Sequence, residues 1–124
     1  MKKKVLIVDD SETTRINIKN ILGEGFTTVE AGNGAIGLER LEEHKDIDLI
    51  VLDVNMPEIN GMEFIKIQSE REDINKIPTM MCTTEASKSM KEEAKKSGVV
   101  RAWVIKPIVK EFFLKAVKHL LKIT

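Results

Sequence analysis

Cysteine is nearly absent from these 124 residues, and the single copy, Cys82, has no partner with which to close an intrachain disulfide. A reducing compartment follows, and the apolar run from Thr79 to Thr83 assigns the thiol to the core. Net charge is absent too, because 20 basic side chains balance 20 acidic ones. Without a whole-molecule field, neither nucleic acid nor an anionic membrane is expected as a partner, and a charged partner must be recognised locally. Long apolar runs are also missing. Val5 to Val8, between Lys2 to Lys4 and Asp9, is too short for a signal peptide or a membrane span, so a soluble, cytoplasmic protein is expected. No linker, repeat or low-complexity segment interrupts the chain, whose length suits one domain, 1–124, able to bury a core without disulfides or metal clips.

What is present is an alternation. Short apolar runs at Lys4 to Val8, Phe26 to Ala31, Asp48 to Leu52, Ile77 to Cys82 and Ala102 to Ile105 are each followed by an amphipathic stretch. Those stretches run from Thr13 to Leu22, Ala35 to Glu43, Met62 to Ser69, Ser87 to Ser97 and Lys110 to Ile123. The pattern is (βα) repeated five times, which predicts an α/β fold with a parallel sheet covered by helices on both faces. The first and third runs are apolar throughout and belong in the middle of the sheet, whereas Phe26-Thr27-Thr28-Val29-Glu30 alternates and reads as an edge. In the last helix, Val109, Phe113, Val117 and Leu120 are expected to face the core, with Lys110, Lys115, Lys118 and Lys122 in water and Phe112 beside the stripe.

Four of the five runs end in a residue suited to phosphoryl chemistry: Asp9 with Asp10, Asp53, Thr83 and Lys106. The carboxyl ends of parallel strands share one rim, where ligands bind, so these residues are expected to converge. Paired strands lie about 4.8 Å apart, which crowds three carboxylates into a small volume that needs a counter-charge. An oxygen-only cleft of this kind suits Mg²⁺, and Lys106 supplies a second positive charge. A carboxylate attacks phosphorus when positive groups neutralise the transferring oxygens. Asp53 is the expected nucleophile, because the adjacent Asp9 and Asp10 are better placed to hold metal.

Each element has a plainer reading beside this one. Asp9, Asp10 and Ser11 suit a helix N-terminus, and Asp53, Met56-Pro57 and Asn60-Gly61 suit a turn. Thr83 suits a strand end, Trp103 a core, and Lys106 a side chain reaching out from a strand end. Singly each signal is weak; on one rim in this order they support one another.

The stretches Val5-Leu6-Ile7-Val8-Asp9-Asp10-Ser11, Asp53-Val54-Asn55-Met56-Pro57-Glu58-Ile59-Asn60-Gly61-Met62-Glu63, Thr83-Thr84-Glu85-Ala86 and Trp103-Val104-Ile105-Lys106-Pro107 carry a resemblance over essentially the whole chain. It resembles the response-regulator receiver domains of the single-domain, chemotaxis (CheY-like) type. The resemblance implies a flavodoxin-like, doubly wound (βα)5 fold with a five-stranded parallel sheet in the order 2-1-3-4-5. It implies that Asp53 takes phosphate from a histidine kinase or a small phosphodonor, and that the protein is a signalling phosphoacceptor rather than an enzyme. Asp10 and Asp53 would ligate Mg²⁺ directly, Asp9 through water, with the backbone carbonyl of Asn55. Lys106 would pair with the phosphoryl group, preceding a cis bond to Pro107.

The resemblance also implies a switch in which Thr83 moves toward the phosphoryl group and the aromatic residue at Trp103 turns inward, driven by roughly one to two added negative charges. The output surface would be the fourth helix, fifth strand and fifth helix, here offering Lys88, Lys91, Lys95, Trp103, Lys110 and Phe112. Partners would be the kinase, a downstream target such as a flagellar motor switch component, and a phosphatase. Asn55 and Glu85 stand at the two variable positions flanking the site, and their pairing implies a short-lived phosphoryl group. Two departures stand out: tryptophan replaces the usual tyrosine or phenylalanine at 103, and one residue is added between Gly98 and Trp103.

Other functions leave traces as well. Gly32-Asn33-Gly34-Ala35-Ile36-Gly37 matches the dinucleotide fingerprint, with Asp53 about twenty residues on, and raises an NAD-dependent enzyme as the alternative. Against it, the preceding strand reads as an edge and no substrate domain fits. A flavin carrier needs a glycine-bearing loop where Ser11-Glu12-Thr13-Thr14 stands, and an aspartate phosphatase spaces its carboxylates Asp-x-Asp.

Overall fold

The computed structural model describes residues 2–123. In chain order it contains β1 (Lys3–Val8), α1 (Glu12–Leu22), a 3-10 turn (Gly23–Gly25), β2 (Phe26–Ala31), α2 (Gly34–Glu43) and β3 (Leu49–Leu52). These are followed by α3 (Gly61–Ser69), β4 (Thr79–Thr83), α4 (Lys88–Lys96), β5 (Val100–Ile105) and α5 (Lys110–Leu121). All strands run parallel in one sheet ordered β2-β1-β3-β4-β5, as the resemblance implies.

The continuous apolar runs are explained by two cores. On one face, Val5, Ile7, Leu49, Val51, Met80 and Cys82 meet Ile18 and Leu22 of α1 and Phe113, Val117 and Leu121 of α5. On the other, Leu6, Val8, Ile50, Leu52 and Met81 meet Leu41 of α2, Phe64 and Ile65 of α3 and Ala94 of α4. Neighbouring strand residues point to opposite faces, so a central strand needs an apolar side chain at every position. The alternating β2 is an edge, as expected.

Three boundaries and one helix face differ from expectation, the simplest being α5, which ends at Leu121 rather than Ile123 because Lys122 takes a left-handed backbone. β4 starts at Thr79 rather than Ile77, because the buried Gln68 amide donates to the carbonyls of Ile74 (3.1 Å) and Ile77 (3.0 Å) and holds that segment in a turn. β5 starts at Val100 rather than Ala102: Thr79 pairs with Val100 and Met80 with Ala102, leaving Arg101 as an extra residue in the ladder. The added residue between Gly98 and Trp103 is thus taken up as a bulge at the sheet edge, where such irregularities concentrate. In α5 the buried stripe is Phe113, Val117 and Leu121, while Leu120 and Lys118 are half-buried. Val109, expected in the core, is 46% exposed because it caps the helix with extended backbone and so lies off the helical stripe.

Candidate functional site

The ladder of the central strands continues one residue beyond them. Asp9 donates its N–H to the Ala31 carbonyl (3.1 Å) and Asp53 its N–H to the Val8 carbonyl (3.0 Å), which sets the two aspartates side by side on the carboxyl rim. Carboxylate oxygens of Asp9, Asp10 and Asp53 lie within 4.8 Å of one another. Asp9 and Asp53 are buried and Asp10 is exposed.

Lys106 arrives from β5, where its N–H donates to the Thr83 carbonyl (2.9 Å), and its ammonium donates to Asp9 Oδ2 (2.8 Å) and Asp53 Oδ2 (3.3 Å). Burial opposes that charge, yet the bonds and charges of Asp9 and Asp53 outweigh it and hold the lysine pKa above its ordinary value. The Lys106-Pro107 bond is cis, as expected. Asp9 Oδ1 also accepts from the Ser11 N–H (2.9 Å), and Asp53 Oδ1 from the Val54 N–H (2.8 Å). Three carboxylates against one ammonium leave two negative charges, and an all-oxygen donor set of that charge fits a hard divalent cation such as Mg²⁺.

Residues around the cluster build it, among them Ser11, whose helix-terminus reading holds, and Arg15, which sequence reasoning passed over. Ser11 caps α1 by accepting the Thr14 N–H (3.2 Å), and Arg15 reaches back to donate to the Asp9 carbonyl (2.6 Å) and to Glu30 (3.1 Å). The signal for Arg15 was its place on the stripe Arg15, Ile18, Leu22, a charge on the inward face of a helix. Gly61 opens α3 directly beneath Asp53: any Cβ there would collide with the Asp53 carbonyl and lie 2.8 Å from Val54 Cα. Asn60 and Glu63 cap that helix reciprocally, so Asn60-Gly61 is a helix start rather than a bare turn.

Around the cluster, Thr83 is fully buried at the end of β4, and its hydroxyl accepts the Glu85 N–H (3.3 Å). The Asn55 amide donates to the Glu85 carboxylate (3.1 Å), and the Trp103 indole N–H donates to the Glu85 carbonyl (2.9 Å). Trp103 is half-buried against the core under α4.

The family model for the response regulator receiver domain matches residues 5–118. The chain belongs to the response-regulator receiver family. It is similar to chemotaxis protein CheY1 of Helicobacter pylori, 39% identical over 106 residues that span 84% of this chain and 85% of that one. The polar-differentiation response regulator DivK of Brucella anthropi is 30% identical over 98% of each chain. The solved structure of chemotaxis response regulator CheY4 of Vibrio cholerae superposes with a TM-score of 0.88 at 33% identity, covering 97% of this chain and 99% of that one. Receiver domains are signalling phosphoacceptors that bind Mg²⁺ at an acidic pocket, take phosphate from histidine kinases and bind downstream targets.

Within this receiver domain the glycine-rich segment has a packing explanation. A Cβ on Gly34 would collide with the Ile59 carbonyl, and one on Gly37 would press on Phe64 (3.0 Å) and Val8 (3.2 Å). The glycines let α2 approach its neighbours after an edge strand, and Asn33 caps the helix by accepting the Ile36 N–H (2.9 Å). The remaining sequence candidates, Lys88, Lys91 and Lys95 on α4 and Lys110 and Phe112 on α5, are exposed, Phe112 at 71%. A groove of about 750 Å³ lies between β5 and α5, lined by Phe112 of these candidates together with Arg101, Ala102, Lys115, His119 and Ile123 among others. No described helix is long and apolar enough to cross a membrane.

Proposed function

We propose that residues 1–124 form one cytoplasmic receiver domain that accepts a phosphoryl group on Asp53 from a phosphohistidine kinase or a small phosphodonor, in a pathway of chemotaxis type. The observation that carries this reading is the Lys106 ammonium seated between the Asp9 and Asp53 carboxylates, with Asp10 beside them. Asp53 and Asp10, with the Asn55 carbonyl, would hold Mg²⁺, and Asp9, buried and already bonded to Ser11 and Lys106, would contribute through water. When bound, the cation neutralises charge on the transferring oxygens.

An Asp53 carboxylate oxygen attacks phosphorus, the phosphorus–nitrogen bond of the donor breaks, and the electron pair leaves on the imidazole nitrogen, which takes a proton. Lys106, freed from Asp53, follows the new charge onto the phosphoryl oxygens. Thr83 keeps its own hydroxyl proton to donate there, since toward Glu85 it acts as acceptor. The shift of Thr83 and Trp103 alters the α4-β5-α5 face, where Lys88, Lys91, Lys95, Lys110 and Phe112 are offered to a target protein such as a flagellar motor switch component. The relatives named for chemotaxis support that pathway, and the groove between β5 and α5 supports that face. Hydrolysis assisted by Asn55 and Glu85, or a phosphatase, ends the signal.

The test adds acetyl phosphate with Mg²⁺ and reads Trp103 fluorescence and phosphate incorporation together. Both change in the native chain; neither changes in Asp53→Asn or without Mg²⁺. Equal incorporation by Asp53→Asn overturns the acceptor assignment, and a phosphoryl half-life of many hours overturns the short-lived signal.

A further inference from the structure

Glu85 gathers three of the side chains that surround the site. Its N–H donates to the Thr83 hydroxyl (3.3 Å), its carbonyl accepts the Trp103 indole N–H (2.9 Å), and its carboxylate accepts the Asn55 amide (3.1 Å). These bonds join three segments: Thr83 and Glu85 follow β4, Asn55 follows β3 two residues beyond Asp53, and Trp103 belongs to the edge strand β5. The indole bond depends on the identity of residue 103, because phenylalanine has no donor, tyrosine carries its hydroxyl at the tip of the ring, and tryptophan carries an N–H on the five-membered ring close to its Cβ.

We propose that Trp103 is a positioning residue for Glu85. Its indole N–H fixes the turn after β4 so that the Glu85 carboxylate meets Asn55, and the joined pair orients the water that hydrolyses phosphorylated Asp53. This rests on Asp53 being the phosphoacceptor. In that hydrolysis the water oxygen bonds to phosphorus, the phosphorus–oxygen bond to Asp53 breaks, the carboxylate leaves with the electron pair, and the water proton passes to solvent. Trp103 touches none of the reacting atoms and acts through Glu85 alone. The indole donor at position 103 thus sets how long the signal lasts, a role separate from any inward turn of the ring.

Two arms test this. In the first, the native chain, Trp103→Phe, Glu85→Ala and the double variant are loaded with acetyl phosphate and Mg²⁺, and phosphate loss is followed after the donor is removed. Trp103→Phe slows the loss about fivefold, the worth of one net hydrogen bond. In the Glu85→Ala background the same change adds less than about twofold. Equal effects in both backgrounds, or none, overturn the proposal.

The second arm needs no phosphate. The indole proton of the unmodified chain exchanges slowly with solvent, and Trp103→Phe moves the Asn55 side-chain amide resonances. Exchange at the rate of a free indole, or unmoved Asn55 resonances in a folded variant, overturns the proposal. A chain that took up no phosphate yet passed this second arm would remove the acceptor reading and the hydrolytic role resting on it, while leaving the positioning of Glu85 by Trp103 in place.

Discussion

At the centre of the sheet, β1 and β3 deliver Asp9 and Asp53 from strands in which Val5 to Val8 and Leu49 to Leu52 are at most 1% exposed. At the edge, β5 delivers Trp103 and Lys106 from a bulged strand with no fully buried residue. The helices differ in the same way. α3, beside Asp53, buries Gly61, Phe64, Ile65 and Gln68, while α4, beside the edge, buries Ala94 alone and otherwise offers mostly lysine and glutamate. Chemistry at phosphorus loses rate steeply when the reacting groups are misplaced, and the proposed acceptor, Asp53, sits where two cores fix the backbone. A response needs an element with a second accessible arrangement, and weakly packed edge elements supply it. Lys106 crosses between the regions, bonded to Asp9 and Asp53 at the centre while its backbone follows the edge strand, and in the proposed function it is the link through which the charge state of the centre reaches the edge.

The largest effect comes from cutting that link. Lys106→Met removes the cation facing both buried carboxylates, and phosphate uptake from acetyl phosphate falls about 100-fold, in line with the loss of one charge-stabilising donor. Uptake at the native rate would mean that the centre works without the edge. Gly61→Ala tests the rigidity of the centre. The new methyl displaces the Asp53 and Val54 backbone, and urea unfolding reports a loss of about 3 kcal/mol, typical of overpacking, together with weaker phosphate uptake.

Hydrogen exchange sharpens the comparison without mutation. Amides of β1 and β3 exchange with the protection of global unfolding, and those of α4 exchange at least about tenfold faster through local opening. Uniform protection would erase the distinction between the regions. The smallest effect concerns Cys82, which β4 buries between them. Burial pushes its thiol from the ordinary range up to about 12. The unfolded thiol ionises first, so stability is intact below the unfolded value and falls as pH rises from there toward the folded value. The decline in urea midpoint across that window is smaller in Cys82→Ala than in the native chain.

Much of this was legible in one sequence because periodicity and burial are coupled. Runs with apolar residues at every position could only be central strands, and Asp9, Asp53, Thr83 and Lys106 were read as convergent because parallel strands end on one rim. Where a residue's role depends on what crosses its path, the sequence was silent. Gly61 looked like turn punctuation until the Asp53 carbonyl was seen against it, and Arg15 drew no reading at all until its guanidinium was seen on the Asp9 carbonyl. Val109 followed the helical spacing of α5 but fell at its cap, since spacing does not mark where a helix begins.

The order of residue types along the chain therefore determined the architecture, the family and the set of groups able to do chemistry, because these follow from side-chain period and from where strands end. Tertiary structure alone decided how those groups pair: that the ammonium of Lys106 reaches Asp9 more closely than Asp53, that Arg101 bulges from the edge strand, and that Asn55, Thr83 and Trp103 all meet on Glu85. Hydrogen bonds depend on distances of a few tenths of an ångström between segments far apart in the chain, and only the packed fold sets such distances.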